Sequence, residues 1–177
     1  DHRDLHSFPT RRSSDLAAGL AFGALNADRT INAAQTRAMA DLAHQYGREF
    51  VFHRAFDCTV DFDAAMRQLI DWKVDRVLTS GGEAKAEQGI ETIARLQRNY
   101  GSQIEILAGS GVNAGNAQLL LKQTGVCQLH SSCKDWLTDP TTAGNHVTYA
   151  FASAPHELDY DVVSEKKVRE LTLAAAG

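Results

Sequence analysis

The sequence predicts an α/β protein that forms part of a TIM, or (β/α)8, barrel. From Ala17 onward, short apolar runs alternate with amphipathic stretches, and strand starts recur roughly every two to three dozen residues. Apolar strands that are each followed by a helix indicate a parallel sheet covered by helices. Small or polar residues end every predicted strand, which favours a barrel over a doubly wound open sheet.

Five strands are predicted from the apolar runs. They are residues 19–25 (GLAFGAL), 48–57 (REFVFHRAFD), 75–82 (DRVLTSGG), 104–112 (IEILAGSGV) and 127–133 (CQLHSSC). A complete barrel has eight βα units in about 250 residues. We therefore expect strands 4 to 8 of such a barrel, with about three N-terminal units missing, and we expect an opened barrel with two unpaired edges to be marginally stable or to aggregate.

The helices follow from apolar residues at helical spacing and from cap residues. In chain order they are residues 32–47, 62–72, 83–101, 114–125 and a final helix to residue 176. Gly47 is expected to stop the first helix, and Asp61, Asn113 and Ser164 are expected to be N-caps of later ones. The segment from Lys134 to about Val162 shows no such order, so we expect it to be irregular.

The first sixteen residues have neither a helical nor a strand period. The stretch HSFPTRRSSDL is similar to the translation of a common sequencing adapter. We therefore expect residues 1–16 to be a non-native or disordered leader, and residues 17–177 to be the C-terminal portion of a single barrel domain.

Composition narrows the classes of function. The formal net charge of -4 lacks the basic character of nucleic-acid-binding proteins, and no apolar run is long enough to span a bilayer. The cysteines are Cys58, Cys127 and Cys133, an odd number without CxxC spacing, which favours a reducing compartment. We therefore expect a cytoplasmic protein that binds neither nucleic acid nor membranes.

Two histidines are candidate catalytic residues. If strand alternation continues through FHRAFD, His53 and Asp57 share one direction and could form an imidazole–carboxylate pair for proton transfer. Alternatively, His53 is a hydrogen-bonded interior residue and Asp57 only begins the next loop. Arg54 could add positive charge for a ligand, and His130 would place a second imidazole near the same end of the barrel.

Candidate anion-binding residues follow the third, fourth and fifth predicted strands. Gly109, Gly111 and Asn113 could expose backbone N–H groups to an anion, with Ser131 and Ser132 opposite them. Alternatively, these glycines only permit a tight turn. After the third strand, the hydroxyls of a Thr79-Ser80-Gly81 stretch could bind ligand oxygens or cap the next helix.

The sequence alone does not decide whether the protein binds a metal ion. Two histidines, one carboxylate and nearby thiols are ligand types that suit copper or zinc, but no HxH, HxxxH or CxxC spacing supports a site. Cys127 and Cys133 are expected to be buried, inert thiols. His146 and His156 lie in the segment expected to be irregular and are interpreted as surface residues.

The stretches FHRAFD, RVLTSGG, IEILAGSGVNAGN and LHSSCKDW, in this order and spacing, resemble the CutC family of copper homeostasis proteins. The resemblance implies a cytoplasmic (β/α)8 barrel, a homodimer in the full-length parent, and copper ion binding. The signature falls on His53, Arg54, Phe56, Asp57, Thr79, Ser80, Gly81, Gly109, Gly111, Val112, Asn113, His130, Ser131 and Ser132. The cysteines proposed as copper ligands in the family belong to its first strands, and the three cysteines here are not at those positions.

Two functions therefore stand as hypotheses. The resemblance implies a copper homeostasis protein that binds copper ions. The residues themselves also fit a barrel enzyme acting on a small anionic or phosphorylated metabolite at the carboxyl ends of the strands, with His53 or His130 moving a proton.

Overall fold

The computed structural model describes residues 17–177, so the expected leader at 1–16 lies outside the described residues. Five parallel strands form one sheet in the order of the sequence. They are β1 (Gly19–Phe22), β2 (Glu49–Phe52), β3 (Arg76–Thr79), β4 (Glu105–Gly109) and β5 (Gln128–His130). Parallel strands in sequential order, each separated from the next by a helix, are the arrangement of a (β/α)8 barrel. The prediction of a partial barrel is confirmed.

Five α-helices accompany the strands. They are α1 (Ala33–Gln45), α2 (Phe62–Asp71), α3 (Ile90–Tyr100), α4 (Ala117–Thr124) and α5 (Glu165–Ala176). The predicted caps Asp61 and Ser164 are confirmed, since Asp61 Oδ1 accepts a hydrogen bond from the Ala64 N–H at 2.9 Å and Ser164 precedes α5 in the same role. Asn32, predicted as the first helical residue, caps α1 instead.

α3 starts at Ile90, seven residues later than predicted from the sequence. Contacts outside the segment hold residues 83–89 in turns. The Glu83 carbonyl accepts hydrogen bonds from Ser80 and Arg54, and the Ala86 N–H donates to the Ser110 carbonyl at 3.0 Å. These tertiary bonds override a local composition that would otherwise favour helix.

The two faces of the sheet differ in burial. Register places Phe50, Phe52, Val77 and Ile106 on the face covered by helices, where all four are buried in the main hydrophobic core. The opposite face, which we call the open face, carries Val51, Arg76, Leu78, Glu105, Leu107 and Gln128. The alternation along each strand therefore separates a buried apolar face from the open face, where apolar and polar side chains are half-buried or exposed.

A row of polar side chains crosses the open face near the amino ends of the strands. Arg76 Nε donates to Glu105 Oε2 at 2.7 Å, and its Nη1 donates to Glu49 Oε2 at 3.2 Å. Gln128 Nε2 donates to the same Glu105 oxygen at 2.8 Å. This row links β2 to β5 and helps to fix the register of the sheet.

The segment after Lys134 is not irregular as predicted. It contains an antiparallel hairpin of β6 (Lys134–Thr138) and β7 (Asp159–Val163). The two strands are separated by residues 139–158, so no short turn signal marks the hairpin in the sequence. The Ser164 N–H donates to the Cys133 carbonyl at 2.9 Å and closes the hairpin beside β5.

Within residues 17–177, no helix combines the length and apolar character needed to cross a bilayer.

α2 and α3 are joined by a polar contact that depends on pH. The Tyr100 hydroxyl donates to Asp63 Oδ1 at 2.7 Å, and Arg95 Nη1 donates to both carboxylate oxygens at 2.8 Å. The bond from Tyr100, followed by the bond and charge of Arg95, lowers the pKa of Asp63 from its ordinary 3.8.

We expect Asp63→Asn to lower the free energy of unfolding at neutral pH and to have little effect near pH 3. A carboxyl whose pKa is lower in the folded state contributes stability above its unfolded pKa, and that stability is lost as the pH falls through the folded pKa. Because Asp63 is more than one-third exposed, the effect should be at most ~1 kcal/mol. Urea denaturation at several pH values measures it. Asp71→Asn on the same helix is the control, and a pH-independent loss in Asp63→Asn would contradict the prediction.

Candidate functional site

The residues that the sequence singled out lie where β2, β3, β4 and β5 end. We call this region, made of residues 53–58, 79–89, 109–116 and 130–133, the carboxyl edge. It is assembled by contacts between loops that are distant in sequence, including Ser80 with Asp57 and Ser131 with Val112. The carboxyl ends of parallel strands are the usual place for ligand sites in barrels.

Asp57 is the centre of the hydrogen-bond network at this edge. Its Oδ1 accepts from Thr79 Oγ1 at 2.5 Å, from the Ser80 N–H at 3.0 Å and from the Gly82 N–H at 3.1 Å. Its Oδ2 accepts from Arg54 Nε at 2.8 Å and from the Ser80 N–H at 3.1 Å, and it lies 3.0 Å from Ser80 Oγ. The side chain is 6% exposed. All these donors come from the protein, so Asp57 holds the edge together rather than facing a ligand.

The predicted pair of His53 and Asp57 is wrong. The chain leaves the strand conformation after His53 and forms a 3₁₀ turn over Arg54–Cys58. His53 Nδ1 accepts a hydrogen bond from the Ala55 N–H at 3.1 Å and thereby caps this turn. The turn directs Asp57 to Thr79, which lies on the helix-covered face, whereas His53 continues the open face of β2.

Arg54 is fixed at the edge by three partners. Besides Asp57, its Nη2 donates to Ser80 Oγ at 2.8 Å and to the Glu83 carbonyl at 3.3 Å. The side chain remains 41% exposed. In the part of the chain that the structure describes, Nη1 donates no hydrogen bond. Arg54 therefore presents an oriented guanidinium whose remaining donors can reach a ligand.

Thr79, Ser80 and Gly81 do not fit their predicted role in ligand binding. All three are buried, with both hydroxyl side chains 0% exposed. Their polar atoms bond within the edge, since the Gly81 N–H donates to Thr79 Oγ1 at 2.9 Å, the Thr79 hydroxyl donates to Asp57, and the Ser80 hydroxyl lies between the Asp57 carboxylate and the Glu83 carbonyl, to which it donates. Neither hydroxyl caps α3, which begins after Gly89 without a side-chain cap.

The two histidines lie on the open face but far apart. A Cβ added to Gly23 would lie 2.6 Å from His53 Nδ1, and one added to Gly109 would lie 3.3 Å from His130 Cβ. Each imidazole therefore lies beside a glycine of the neighbouring strand. β3 and β4 separate the histidine strands, which corresponds to roughly 14 Å at the usual spacing. The two imidazoles therefore do not form one pair.

The loop after β4 has a backbone suited to an anion. Ser110 and Gly111 both have positive φ, 83° and 70°. Successive residues of this kind can turn backbone N–H groups to one side. Ser131 lies beside this loop, as expected, because its Oγ donates to the Val112 carbonyl at 2.6 Å. Among residues 17–177, the N–H groups of Gly111 and Ser132 donate no hydrogen bond. The predicted binding roles of Gly109, Gly111, Ser131 and Ser132 stay predictions.

Asn113 is not the N-cap of α4, contrary to prediction. Its Oδ1 accepts from the Gly115 N–H at 2.8 Å, within a turn that precedes the helix. Asn116, which the sequence analysis missed, is the buried asparagine at this position. It joins three segments, accepting from the Asn113 N–H and donating to the Gly111 carbonyl at 3.0 Å and to Glu87 Oε2 at 3.2 Å.

Lys85 is a second residue that sequence reasoning missed. A Cβ at Gly111 would lie 3.1 Å from both Cγ and Cδ of Lys85, so the lysine stem lies across the glycine. The loop is held there because Ser110 Oγ donates to the Ala84 carbonyl at 2.8 Å and the Ala86 N–H donates back to Ser110. Because Lys85 lies in a segment that was predicted to be helical, nothing in the sequence indicated that its side chain would lie across Gly111.

The residues of the described chain do not fit a copper site. No group of three His, Cys, Asp or Glu side chains between residues 17 and 177 could hold a metal ion. Cys58 and Cys127 are exposed and Cys133 is partly buried, so the expectation of a buried thiol is wrong for Cys127, which lies just before β5 begins. Cys127 precedes β5 and Cys133 follows it, so these two thiols lie at opposite ends of the strand. Cu(I), which prefers sulfur, has no converging thiolates here.

We expect Asp57→Asn to lower the free energy of unfolding by about 3 kcal/mol, because the amide cannot accept from all the donors that surround the carboxylate. Urea denaturation at neutral pH measures the loss. Asp61→Asn is the matched control, since asparagine caps a helix about as well as aspartate and should change stability by less than about 0.5 kcal/mol. Equal effects of the two substitutions would contradict the central role of Asp57.

Comparison with known proteins identifies the family. The CutC family model matches residues 10–135. A CutC family protein of Vibrio cholerae serotype O1 is 40% identical over 116 residues, which are 66% of this chain and 46% of that relative. A relative from Treponema denticola, also a CutC family protein, is 38% identical over 147 residues, which are 82% of this chain and 59% of that protein.

The fold agrees with this match. A crystal structure of a candidate copper homeostasis protein CutC from Streptococcus agalactiae superposes with a TM-score of 0.61 and 29% identity, covering 68% of this chain and 58% of that one. The chain spans about half the length of the curated relatives it matches. Because the family model covers more than half of the sequence, this chain belongs to the CutC family.

Proposed function

We propose that this chain serves in copper homeostasis, as the names of CutC relatives suggest, and that its carboxyl edge binds a small anionic ligand. Family membership supports the first part. The second part rests on the junction of the two loops after β4 and β5, where Lys85 lies across Gly111 and Ser131 is bonded to Val112.

The junction carries the proposal because the segments in contact there carry groups that favour negative charge. The Gly111 and Ser132 N–H groups have no acceptor within residues 17–177, and the Lys85 ammonium is attached to the loop that covers Gly111. Arg54 bonds the Glu83 carbonyl two residues before Lys85. The Glu87 carboxylate is a negative charge near these groups, and it accepts a hydrogen bond from the Asn116 side chain. Backbone N–H groups with one ammonium and one guanidinium suit a phosphate or carboxylate.

A barrel enzyme acting on such an anion is the second candidate function. Its support is the placement of His53 and His130 on the open face at the same edge. The Ala55 N–H donates to His53 Nδ1, so in the neutral ring the proton lies on Nε2, from which it can be given to a ligand. These placements support a proton donor on the same edge as the proposed anion site.

Copper is the cargo of the proposed role. The three thiols between residues 17 and 177 do not converge, so the described residues give no support for direct coordination of copper. Copper ion binding, the cytoplasmic location and the homodimer remain predictions from the family resemblance.

We expect Lys85→Met to weaken the binding of inorganic phosphate about tenfold, because the substitution keeps the stem over Gly111 and removes the charge. Isothermal titration calorimetry of the full chain with phosphate at low ionic strength measures the affinity. Lys122→Met, at an exposed position on α4, should bind phosphate as the unaltered chain does. Absence of saturable binding, or equal affinity of Lys85→Met and Lys122→Met, would contradict the anion site.

We expect the full chain to retain no more Cu(I) than a variant in which Cys58, Cys127 and Cys133 are all replaced by serine. Isolated thiols bind Cu(I) weakly compared with converging ones. Competition against a Cu(I) chelator under anaerobic conditions measures retention, with a short peptide containing one cysteine as the reference. Stoichiometric retention that disappears in the triple variant would show a copper site that the described geometry does not contain.

A further inference from the structure

Trp136 on β6 is contacted by two cationic or titratable side chains. The imidazole of His156 stacks on the indole, with ring centroids 4.3 Å apart and planes inclined by 13°. The Lys134 ammonium lies 4.3 Å from the centroid of the Trp136 ring. His156 belongs to the connection between β6 and β7, so the stack attaches this connection to the hairpin. His156 lies at the surface as expected, with its side chain 35% exposed, and His146 is exposed.

His156 is also bonded to a carboxylate of β7. Its Nδ1 lies 2.7 Å from Asp159 Oδ2, and the Thr138 hydroxyl donates to Asp159 Oδ1 at 2.8 Å. Asp159 is 17% exposed and His156 35% exposed. The bond from His156, followed by the bond from Thr138, lowers the pKa of Asp159 below its ordinary value. Asp159 is therefore an anion throughout the range in which imidazoles titrate.

The rest of the connection makes few side-chain contacts with the hairpin. In the described part of the chain, His156 is the one residue of 143–158 whose side chain hydrogen-bonds to β6 or β7. Tyr149 and Phe151 in the same connection are 82% and 72% exposed. Besides the backbone bond from the Asp139 N–H to the Leu158 carbonyl at 2.6 Å, the side-chain attachment of this part of the connection to the hairpin strands depends on the contacts of one imidazole with Trp136 and Asp159.

We propose that Trp136, His156 and Asp159 form a pH-responsive clasp, which holds the 139–158 connection on the hairpin more tightly when His156 is protonated. A protonated imidazole forms a charge-assisted bond with Asp159 and a cation–π contact with Trp136, both stronger than the contacts of the neutral ring. The opposing charge is Lys134 on the same indole, and Asp161 offsets it at 3.5 Å. The clasp lies near the carboxyl edge in sequence, since β6 begins two residues after Ser132.

Limited proteolysis of the full chain tests the clasp. The rate of thermolysin cleavage within residues 139–158 is compared between the unaltered chain and His156→Gln at about pH 5.5 and about pH 8. Glutamine can still donate a hydrogen bond to Asp159 but cannot gain a charge. Taking the ratio of the two rates at each pH removes the pH dependence of the protease itself.

We expect His156→Gln to be cleaved about fivefold faster than the unaltered chain at the lower pH and faster by a clearly smaller factor at the higher pH, where only the stack of the neutral ring is lost. Asp159→Asn, which removes the other charge, should also lose the protection at low pH. His146→Gln, in the same connection, should be cleaved like the unaltered chain at both pH values. A ratio that is the same at both pH values would overturn the proposal and leave His156 with a packing role alone.

Discussion

The carboxylate of Asp57 joins the end of β2 to the end of β3, and the arrangement of the carboxyl edge depends on this contact. A buried carboxylate is costly unless protein donors replace its water. Here Thr79, Ser80, Gly82 and Arg54 supply those donors. The loop after β3 is thereby fixed at its start, and the same contacts orient the guanidinium of Arg54.

The consequences continue along the chain to the glycine loop. Ser80 and Arg54 both bond the Glu83 carbonyl, so the segment that follows folds into turns instead of extending α3. Those turns place Lys85 over Gly111, and Ala84 and Ala86 are bonded to Ser110. The proposed anion site therefore depends on residues that do not touch the ligand. Three of them, Asp57, Thr79 and Ser80, belong to the motifs through which the sequence resembles CutC.

The fold was predictable from sequence because the apolar residues of each predicted strand or helix follow a spacing typical of that element. Strands such as EFVF and RVLT bury every second residue in the core, and Asp61 and Ser164 cap helices through local bonds. The site was less predictable because its geometry comes from contacts between loops. Strand alternation paired His53 with Asp57, but a 3₁₀ turn separates them. Thr79 and Ser80 have polar side chains after a strand, and only the position of Asp57 shows that they point inward. Lys85 and Asn116 had no local signal at all.

A double-mutant cycle between Asp57→Asn and Thr79→Val tests the central contact most directly. The cycle compares the free energies of unfolding of both single variants and of the double variant, so losses unrelated to the contact cancel. If the Asp57 carboxylate joins β2 to β3 through Thr79, the coupling energy should be about 1 kcal/mol or more. Losses that add to within about 0.3 kcal/mol would show that the two side chains act independently, and the account of the carboxyl edge would be wrong.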